Sequence, residues 1–424
     1  MKKILFTIQW YPSVLSANAL CDEKIIRQLV GCNEYEISCL AYKGCNQENI
    51  SVYEGVKVFR FRRSLWWNAV IWAKQKKGLM SNVILKFDRI VLRAKQIISI
   101  PFYPVVNLKS CVKFAFHAYT LQKKNSYDIV ISEHHGVDSL FAGYFLKLLF
   151  PKIKFVAILW DPISAKEPAR YLPSNFSRKR SVYAEKKLLK YADYVIGMKS
   201  SEKTVTSLDL GYDDKHKFFD IPGIIHQNGS GYKCDKLKKG YINIVFSGIL
   251  SMPDRDPSFI INALNASTCA DKINMTFFCT GAGRKILEKE KKTFKGIINV
   301  CEYIPHADLI SVYMDADVLL NFGGVNANMV PSKIFEYMSF CKPILSTYKI
   351  DNEASKTYLD RYPLALCIDE RCEIHENIKY IDCFLQRYND TDMKFDDVER
   401  EFYINTPSIY IDLIKNIFNN NAQQ

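Results

Sequence analysis

The sequence lacks several features that would place it in a specialised class of proteins. Its apolar run at residues 140–146 ends at Lys147, and no segment approaches the roughly eighteen apolar residues that a membrane-spanning helix needs. It has no short internal repeat and no long low-complexity tract. Its thirteen cysteines form no C-x-x-C pair and no Cys/His cluster at zinc spacing, so we expect reduced thiols in a cytoplasmic protein.

The composition is that of a folded protein with more than one domain. The chain has 424 residues, of which 48% are hydrophobic and 24% charged, so wholesale disorder is excluded and two domains are favoured over one. Met1, Lys2 and Lys3 followed by residues 4–8 imitate a signal peptide. That apolar run is only five residues long, so we expect a buried first strand.

Short apolar runs alternate with helical patterns, which predicts an α/β protein built from βαβ units with parallel sheets. We expect a Rossmann-like domain over residues 1–222, a linker over 223–240, a second Rossmann-like domain over 241–395, and a C-terminal helix in 396–424 that returns to the first domain. Such sheets bind ligands at the carboxyl ends of their strands, so two in tandem predict a cleft between those ends. The predicted strands are 4–8, 35–42, 56–61, 129–132, 154–160, 194–198, 242–250, 275–281, 298–304, 318–322 and 343–347.

One segment carries the whole excess of positive charge. Residues 54–124 contain fifteen Lys or Arg against two acids, which equals the net charge of +13 of the entire chain. Three tryptophans precede a helical stripe of apolar residues with basic residues around it, a pattern that suits an anionic membrane surface. The alternative is an internal helix with a solvated basic rim. No nucleic-acid-binding signature accompanies the charge, so no nucleic acid is expected as a partner. The stripe consists of Val83, Ile84, Phe87, Ile90, Val91, Ala94, Ile97 and Ile98.

The segment after the strand at 318–322 carries the strongest chemical signal. Pro331 suits the first position of a helix over residues 331–340, with Ser332 beside it, and a helix start of this kind is an anion site. Lys333 opposes the helix dipole unless an anion lies nearby, and a phosphate would resolve that conflict. Glu336 lies on the same face and could accept hydrogen bonds from a ribose. The alternative is a local pair between Lys333 and Glu336.

Two further loops are predicted to reach the same ligand. Arg255 follows the strand at 242–250 and is a candidate cation for a diphosphate; the alternative is an arginine capped by its neighbouring aspartates. Gly281 and Gly283 follow the next strand and allow close approach of a ligand to the backbone, or simply a tight turn into a helix.

Together these segments resemble a retaining glycosyltransferase of family 4 type with the GT-B fold, in which two Rossmann-like domains face each other across a cleft. By that resemblance Glu336 matches the second glutamate of the ribose-binding pair, and Lys333 and Arg255 match diphosphate-binding cations. The first glutamate of the pair is here Asn328, at a position that contacts the transferred sugar. The resemblance is carried by residues 4–13, 190–201, 246–257, 280–283, 306–322 and 331–345.

The first domain offers candidates for the acceptor side. His134, or Glu133 one residue away, ends a predicted strand and matches the imidazole that relatives place near the sugar. Asp161 ends another strand and is a candidate for holding an acceptor hydroxyl, or else a turn cap. The loop with Ser16 and Asn18 is a further acceptor candidate. The alternative for His134 is a pair of histidines in an ordinary solvated turn.

The resemblance implies transfer of a sugar from UDP-sugar or GDP-sugar to a lipid-linked or polysaccharide acceptor, with no metal and no other cofactor. The basic segment adds the expectation of a cytoplasmic protein that binds peripherally to the inner face of the plasma membrane. Asn328 keeps a catalytically silent, partner-binding subunit open as an alternative, and a sugar-nucleotide epimerase would share the fold.

Overall fold

The computed structural model describes residues 1–12, 17–44, 47–76, 78–105, 107–134, 136–164, 169, 171–208, 210–211, 213–325, 330–388 and 392–419. The chain divides into two compact units. The first comprises Met1–Asp220 and Ser408–Gln424, and the second comprises Ile221–Pro407. Residues 223–240, predicted to be a linker, therefore lie within the second unit, where the amide of Gly231 donates to Oγ of Ser311 at 3.1 Å.

The first unit is built on an eight-stranded sheet in the order β3-β4-β2-β1-β5-β6-β7-β8, in which only β3 runs antiparallel to its neighbour. The strands are β1 (Lys2–Thr7), β2 (Tyr35–Tyr42), β3 (Ile50–Tyr53), β4 (Val56–Phe61), β5 (Ile129–Glu133), β6 (Lys154–Leu159), β7 (Tyr194–Met198) and β8 (His216–Phe219). The helices are α1 (Ala17–Gly31), α2 (Leu65–Gln75), α3 (Leu79–Ile98), α4 (Leu108–Asn125), α5 (Val137–Leu149), α6 (Ser174–Leu189) and α7 (Glu202–Thr206).

The second unit contains a six-stranded, wholly parallel sheet in the order β11-β10-β9-β12-β13-β14. Counted within the unit this is the order 3-2-1-4-5-6 of a dinucleotide-binding Rossmann domain. The strands are β9 (Ile242–Ile249), β10 (Ile273–Thr280), β11 (Ile297–Cys301), β12 (Val318–Phe322), β13 (Ile344–Tyr348) and β14 (Ala365–Asp369). The helices are α8 (Ser258–Ala266), α9 (Arg284–Glu290), α10 (His306–Asp315), α11 (Lys333–Met338), α12 (Lys356–Leu359), α13 (Ile374–Gln386) and α14 (Phe395–Glu401).

The predicted α/β class with two parallel sheets is confirmed. Central strands such as β5 and β12 are buried along their whole length, which is why their sequences are nearly continuous apolar runs. The prediction missed β3, β8 and β14, and all three are edge strands. These three strands are partly exposed and their sequences carry no such run, whereas the fourth edge strand, β11, was predicted over residues 298–304.

The chain returns to the first unit through a last helix, α15 (Ser408–Asn419). Its Phe418 ring stacks on Tyr35 with 5.6 Å between centroids, and its Tyr410 hydroxyl donates to the carbonyl of Asp220 at 2.9 Å. The returning segment was predicted to begin at residue 396. The structure places α14 in the second unit, and only residues from 408 onward belong to the first.

A buried carboxyl group lies beneath this returning helix. Asp22 of α1 is 3% exposed, and its Oδ1 accepts a hydrogen bond from Nε1 of Trp160 at 3.0 Å. The Trp160 ring in turn packs against Tyr410, with 6.1 Å between centroids. Burial raises the pKa of Asp22 to about 8, although the bond from Trp160 acts in the opposite direction. The folded protein therefore favours the protonated form of this carboxyl group.

This carboxyl group predicts a pH dependence of stability. The pKa of Asp22 rises from the ordinary value of 3.8 to about 8 on folding. Its contribution to the stability of the folded protein is therefore fully present below pH 3.8 and is lost as the pH rises towards 8. Asp22→Asn keeps an acceptor for Trp160 and removes the titration. We expect the thermal midpoint of this variant to rise relative to wild type as the pH goes from 5 to about 8. The exposed Asp161→Asn is the control, and parallel pH profiles of wild type and Asp22→Asn would contradict the assignment.

Candidate functional site

The carboxyl edge of the second sheet brings three predicted loops to its strand ends. β9 and β12 are neighbours although they are the first and fourth strands of the unit, so the chain leaves them in opposite directions and a crevice opens where their ends meet. The loop 250–257 follows β9, the loop with Gly281 follows β10, and α11 lies beyond the loop after β12. The unit thus has the arrangement that binds nucleotides in parallel α/β sheets.

Lys333 places its ammonium group at the end of β9. Its Nζ donates to Oγ of Ser247, and to the hydroxyl of Tyr313 on α10 at 3.3 Å. Burial lowers the pKa of Lys333, the carboxylate of Glu336 acts against that shift, and the charge of Arg255 lowers the pKa further. Lys333 and Arg255 both contact β9 near its carboxyl end, Lys333 through Ser247 and Arg255 through the carbonyl of Ile249.

Arg255 is held in a well-anchored loop. Its amide donates to the carbonyl of Ser251 at 2.7 Å, and Lys349 donates to the carbonyls of Pro253 and Asp254 at 2.9 and 2.7 Å. The side chain is half-buried, and its Nη1 lies 3.4 Å from the carbonyl of Ile249. Lys349 was not predicted, because its contribution depends on a contact across 95 residues.

The aspartates beside Arg255 have structural roles of their own. Oδ1 of Asp256 accepts from the amide and the hydroxyl of Ser258, at 2.9 and 2.6 Å, at the start of α8. The backbone of Asp254 is held by Lys349. No group of three or more His, Cys, Asp or Glu side chains in the described part of the chain is placed to hold a metal ion.

Glu336 has a partner that the sequence did not reveal. Its side chain is largely buried, and its Oε1 lies 2.7 Å from Nε2 of His306, the first residue of α10. The alternative predicted from the sequence was a local pair between Glu336 and Lys333, and it did not include His306. The bond fixes the orientation of the carboxylate, and His306 joins the candidate site through it.

The helix that carries Lys333 and Glu336 is shorter than predicted. α11 has six residues and begins at Lys333, not at Pro331, and it ends at Met338. Pro331 and Ser332 lie before it, with the carbonyl of Pro331 accepting from the amide of Ile334 at 3.3 Å in a tighter turn. At the other end the backbone of Cys341 turns into the left-handed region, with φ of 51°. So short a helix has only a small dipole, so the side-chain cations carry most of the positive potential.

The glycine loop packs tightly against the loop from β9. Gly281 has φ of +103°, and a Cβ there would lie 2.4 Å from the carbonyl oxygen of Leu250. A Cβ on Gly283 would lie 2.7 Å from Cβ of Leu250. The close approach that these glycines allow is thus to the neighbouring loop; approach to a ligand stays a prediction.

The carboxyl edge of the first sheet holds His134. This residue is 2% exposed, and its Nδ1 lies 2.7 Å from the carbonyl oxygen of Asp161. Because a carbonyl oxygen only accepts hydrogen bonds, Nδ1 carries a proton. Asp161 thus holds His134 through its backbone, while its side chain is exposed. Glu133 is buried as the last residue of β5.

Other predicted site residues are placed less tightly or fall outside the structure. Asn18 is half-buried in the first turn of α1. Ser16 and Asn328 lie outside the described residues.

The basic segment forms an exposed helical surface. α3 packs on α2 through Asp88, which accepts from Nε1 of Trp66 at 2.9 Å, and Ser81 is its only buried residue. α3 also carries an apolar stripe, which we call the α3 apolar face, of side chains that are each more than half exposed. One of them, Phe87, also packs edge-on against Trp66, with 5.4 Å between centroids, and helical geometry places Lys86, Arg89 and Arg93 along one edge of the face. Of the helices that the structure describes, none is long and apolar enough to cross a bilayer. The face consists of Leu79, Met80, Val83, Phe87, Ile90, Ile97 and Ile98.

Comparison with known proteins identifies the fold. The chain is similar to the N-terminal domain of a trehalose-6-phosphate phosphatase from Candida albicans, with a TM-score of 0.59 and 12% identity over 98% of this chain and 97% of that one. It is similar to a trehalose-6-phosphate protein from E. coli bound with UDP-2-fluoro glucose, with a TM-score of 0.53 and 12% identity over 96% and 95%. It is also similar to the catalytic domain of starch synthase IV from Arabidopsis thaliana bound to ADP and acarbose, with a TM-score of 0.53 and 8% identity over 98% and 99%.

These likenesses confirm the predicted GT-B fold, with two Rossmann-like domains in one chain. At 8 to 12% identity they show the fold and not the reaction. No protein-family model and no curated protein matches the sequence.

The contact between the two loops predicts a stability effect at Gly281. Gly281→Ala adds both a left-handed strain and a clash with the Leu250 backbone, so we expect a loss of about 3 kcal/mol of unfolding free energy. Gly240 has φ of +83° and open space around its Cβ position, so Gly240→Ala isolates the strain at about 1 kcal/mol. Urea unfolding of both variants measures the difference. Equal losses would show that the close packing of the loops contributes nothing.

Proposed function

We propose that the protein is a retaining glycosyltransferase of family 4 type that transfers a sugar from a nucleoside-diphosphate sugar to a lipid-linked or polysaccharide acceptor. The observation that carries the proposal is the pair of cations, Lys333 and Arg255, at the carboxyl edge of a sheet that has the strand order of a Rossmann domain. The GT-B fold, shared with structures bound to UDP-2-fluoro glucose and to ADP, is consistent with it.

The chemical task of such an enzyme is to stabilise a departing nucleoside diphosphate. Negative charge grows on the diphosphate as the bond to the sugar breaks, and fixed cations lower the energy of that state. Lys333 is positioned by two hydroxyl groups and the Arg255 loop is anchored by Lys349. We propose that these two cations supply the charge that a divalent metal provides in other transferases.

Glu336 is proposed to bind the ribose of the donor. A carboxylate can accept hydrogen bonds from two vicinal hydroxyl groups, and the bond from His306 fixes its orientation. The loop with Gly281 and Gly283 is proposed to let the donor approach the protein backbone at the strand ends. Asn328 is proposed to contact the transferred sugar, since an amide both donates to and accepts from hydroxyl groups.

The first unit is proposed to bind the acceptor. His134 is buried at the end of β5 with a fixed ring orientation, and we propose that it acts near the transferred sugar together with Glu133. Asp161, Ser16 and Asn18 remain candidates for acceptor contacts.

The α3 apolar face is proposed to bind the anionic cytoplasmic surface of a membrane. An exposed apolar stripe beside a row of cations has the chemistry of an interfacial helix, which buries its apolar side chains at the headgroup boundary. Each Lys or Arg near such a surface adds about 1 kcal/mol of attraction. Peripheral attachment would bring the enzyme to a lipid-linked acceptor.

The donor site is tested by nucleotide binding. Lys333→Met removes the charge and keeps the length of the side chain, and Glu336→Gln removes a ribose acceptor. Because a hydrogen bond to a charged group contributes about 1.5–3 kcal/mol, each variant should weaken binding of UDP or GDP at least ~10-fold in isothermal titration calorimetry.

Lys379→Met, on an exposed side of α13, is the matched control and should bind as wild type does. Unchanged affinity in both site variants would overturn the donor site. Wild type that binds neither nucleotide would favour a partner-binding subunit, and conversion of a labelled donor sugar without transfer would favour an epimerase.

The proposed membrane binding is tested by cosedimentation with phosphatidylcholine vesicles that do or do not contain phosphatidylglycerol. Ile90→Glu and Ile97→Glu place charges in the α3 apolar face and should lower the partition coefficient for the vesicles at least ~10-fold, since a buried side chain of this size contributes about 1.5–3 kcal/mol. Val52→Glu, on the exposed edge strand β3, is the control. Binding that is insensitive to salt and to both substitutions would contradict the proposed membrane binding, and it would not affect the proposed glycosyltransferase activity.

A further inference from the structure

A cavity of about 300 Å³ lies within the first unit, at the carboxyl edge of its sheet. Gln9 and His134, which follow the neighbouring strands β1 and β5, line one side of it. Arg63 and Tyr103, from the basic segment, line it as well. The cavity therefore joins the first sheet's candidate site to the segment that carries the excess positive charge.

Arg63 presents an unusual guanidinium group to this cavity. Its Cζ lies 4.6 Å from the ring centroid of Trp67 and 5.2 Å from that of Tyr42. Trp67 in turn stacks on Trp10, with 6.2 Å between centroids. Among the residues that the structure describes, no carboxylate or carbonyl accepts a hydrogen bond from this guanidinium group. Both rings lie within cation–π distance of the group, and its N–H donors are left for a ligand.

The acidic residue that lines the cavity, Asp138, has hydrogen-bond donors at both of its carboxylate oxygens. Oδ1 of Asp138 accepts from Nε2 of Gln9 at 2.6 Å and from the amide of Ser139 at 3.1 Å, and Oδ2 accepts from the hydroxyl of Tyr42. The thiol of Cys111 also lines the cavity, and burial raises its pKa to about 12, so it is uncharged near neutral pH. Among the described residues that line the cavity, Arg63 is the one Lys or Arg, and it shares the cavity with the hydrogen-bonded carboxylate of Asp138.

We propose that this cavity binds a phosphoryl group carried by the acceptor, and that the edge of Arg63 recognises it. The inference rests on the proposed function, because it assigns a chemical class to the acceptor of that reaction. A guanidinium edge matches two oxygens of a phosphoryl group with two parallel N–H donors, which a neutral sugar hydroxyl does not offer. The pocket would hold the phosphoryl group close to His134, so that a neighbouring acceptor hydroxyl lies at the end of β5.

The test uses phenyl phosphate as the probe, with benzyl alcohol as its neutral counterpart, in equilibrium dialysis against the full-length protein. Wild type should bind phenyl phosphate and not benzyl alcohol. Arg63→Gln should weaken phenyl phosphate binding at least ~10-fold. Arg63→Lys retains the charge but loses the two parallel N–H donors of the guanidinium group. Its affinity for phenyl phosphate should therefore lie between those of wild type and Arg63→Gln. Arg62→Gln removes a neighbouring exposed arginine and should bind as wild type does.

Lys333→Met separates this site from the donor site. It should leave phenyl phosphate binding unchanged while lowering nucleotide affinity, and Arg63→Gln should do the reverse. No binding to wild type, binding that Arg63→Gln and Arg63→Lys leave unchanged, or binding that only Lys333→Met abolishes would each overturn the inference. A protein that binds phenyl phosphate through Arg63 but neither UDP nor GDP would instead refute the proposed donor reaction.

A second arm distinguishes a lipid phosphate from a water-soluble one. Phosphatidylcholine vesicles that contain phosphatidic acid are compared with vesicles that contain phosphatidylglycerol at matched charge. If Arg63→Gln lowers binding to the first kind only, the phosphoryl group belongs to a lipid. If Arg63→Gln changes phenyl phosphate binding alone, the acceptor is a soluble phosphate ester. Both results support the site.

Discussion

Two cations, Lys333 and Arg255, placed near the end of β9 are the feature on which the second unit's candidate site depends. Both cations lie near the carboxyl edge of one sheet, and the pKa of Lys333 is lowered by burial and by the charge of Arg255. The contacts around them keep this arrangement in place: two hydroxyl groups hold the ammonium of Lys333, and Lys349 anchors the loop that carries Arg255. A bound diphosphate would be attracted to both cations.

The same topological feature produces a candidate site in each unit. In the first sheet β1 lies beside β5, and in the second β9 lies beside β12, so in both the first strand adjoins one that comes later in the chain. His134 and Gln9 follow the strands of the first pair, and Leu250 and Gly323 follow those of the second. The two candidate sites differ in their side chains: an arginine beside aromatic rings in the first unit, and two cations near the end of β9 in the second.

The sequence was sufficient for the fold class, because buried parallel strands leave continuous apolar runs. It also placed the proposed donor residues Lys333 and Glu336 in one short segment. It was insufficient for their partners. His306 is 30 residues from Glu336 and Ser247 is 86 from Lys333, and only the folded chain brings them together. The amphipathic pattern of α3 left open whether its apolar side faces the core, whereas the structure leaves that side exposed.

The measurement that tests the central claim most directly is proton uptake on nucleotide binding, obtained by calorimetry in buffers of different ionisation enthalpy. If a diphosphate binds beside Lys333, it favours the charged ammonium and raises its lowered pKa, so binding at alkaline pH should take up protons. The uptake should disappear in Lys333→Met. Nucleotide binding with no proton uptake at any alkaline pH, or with the same uptake in Lys333→Met, would contradict the account.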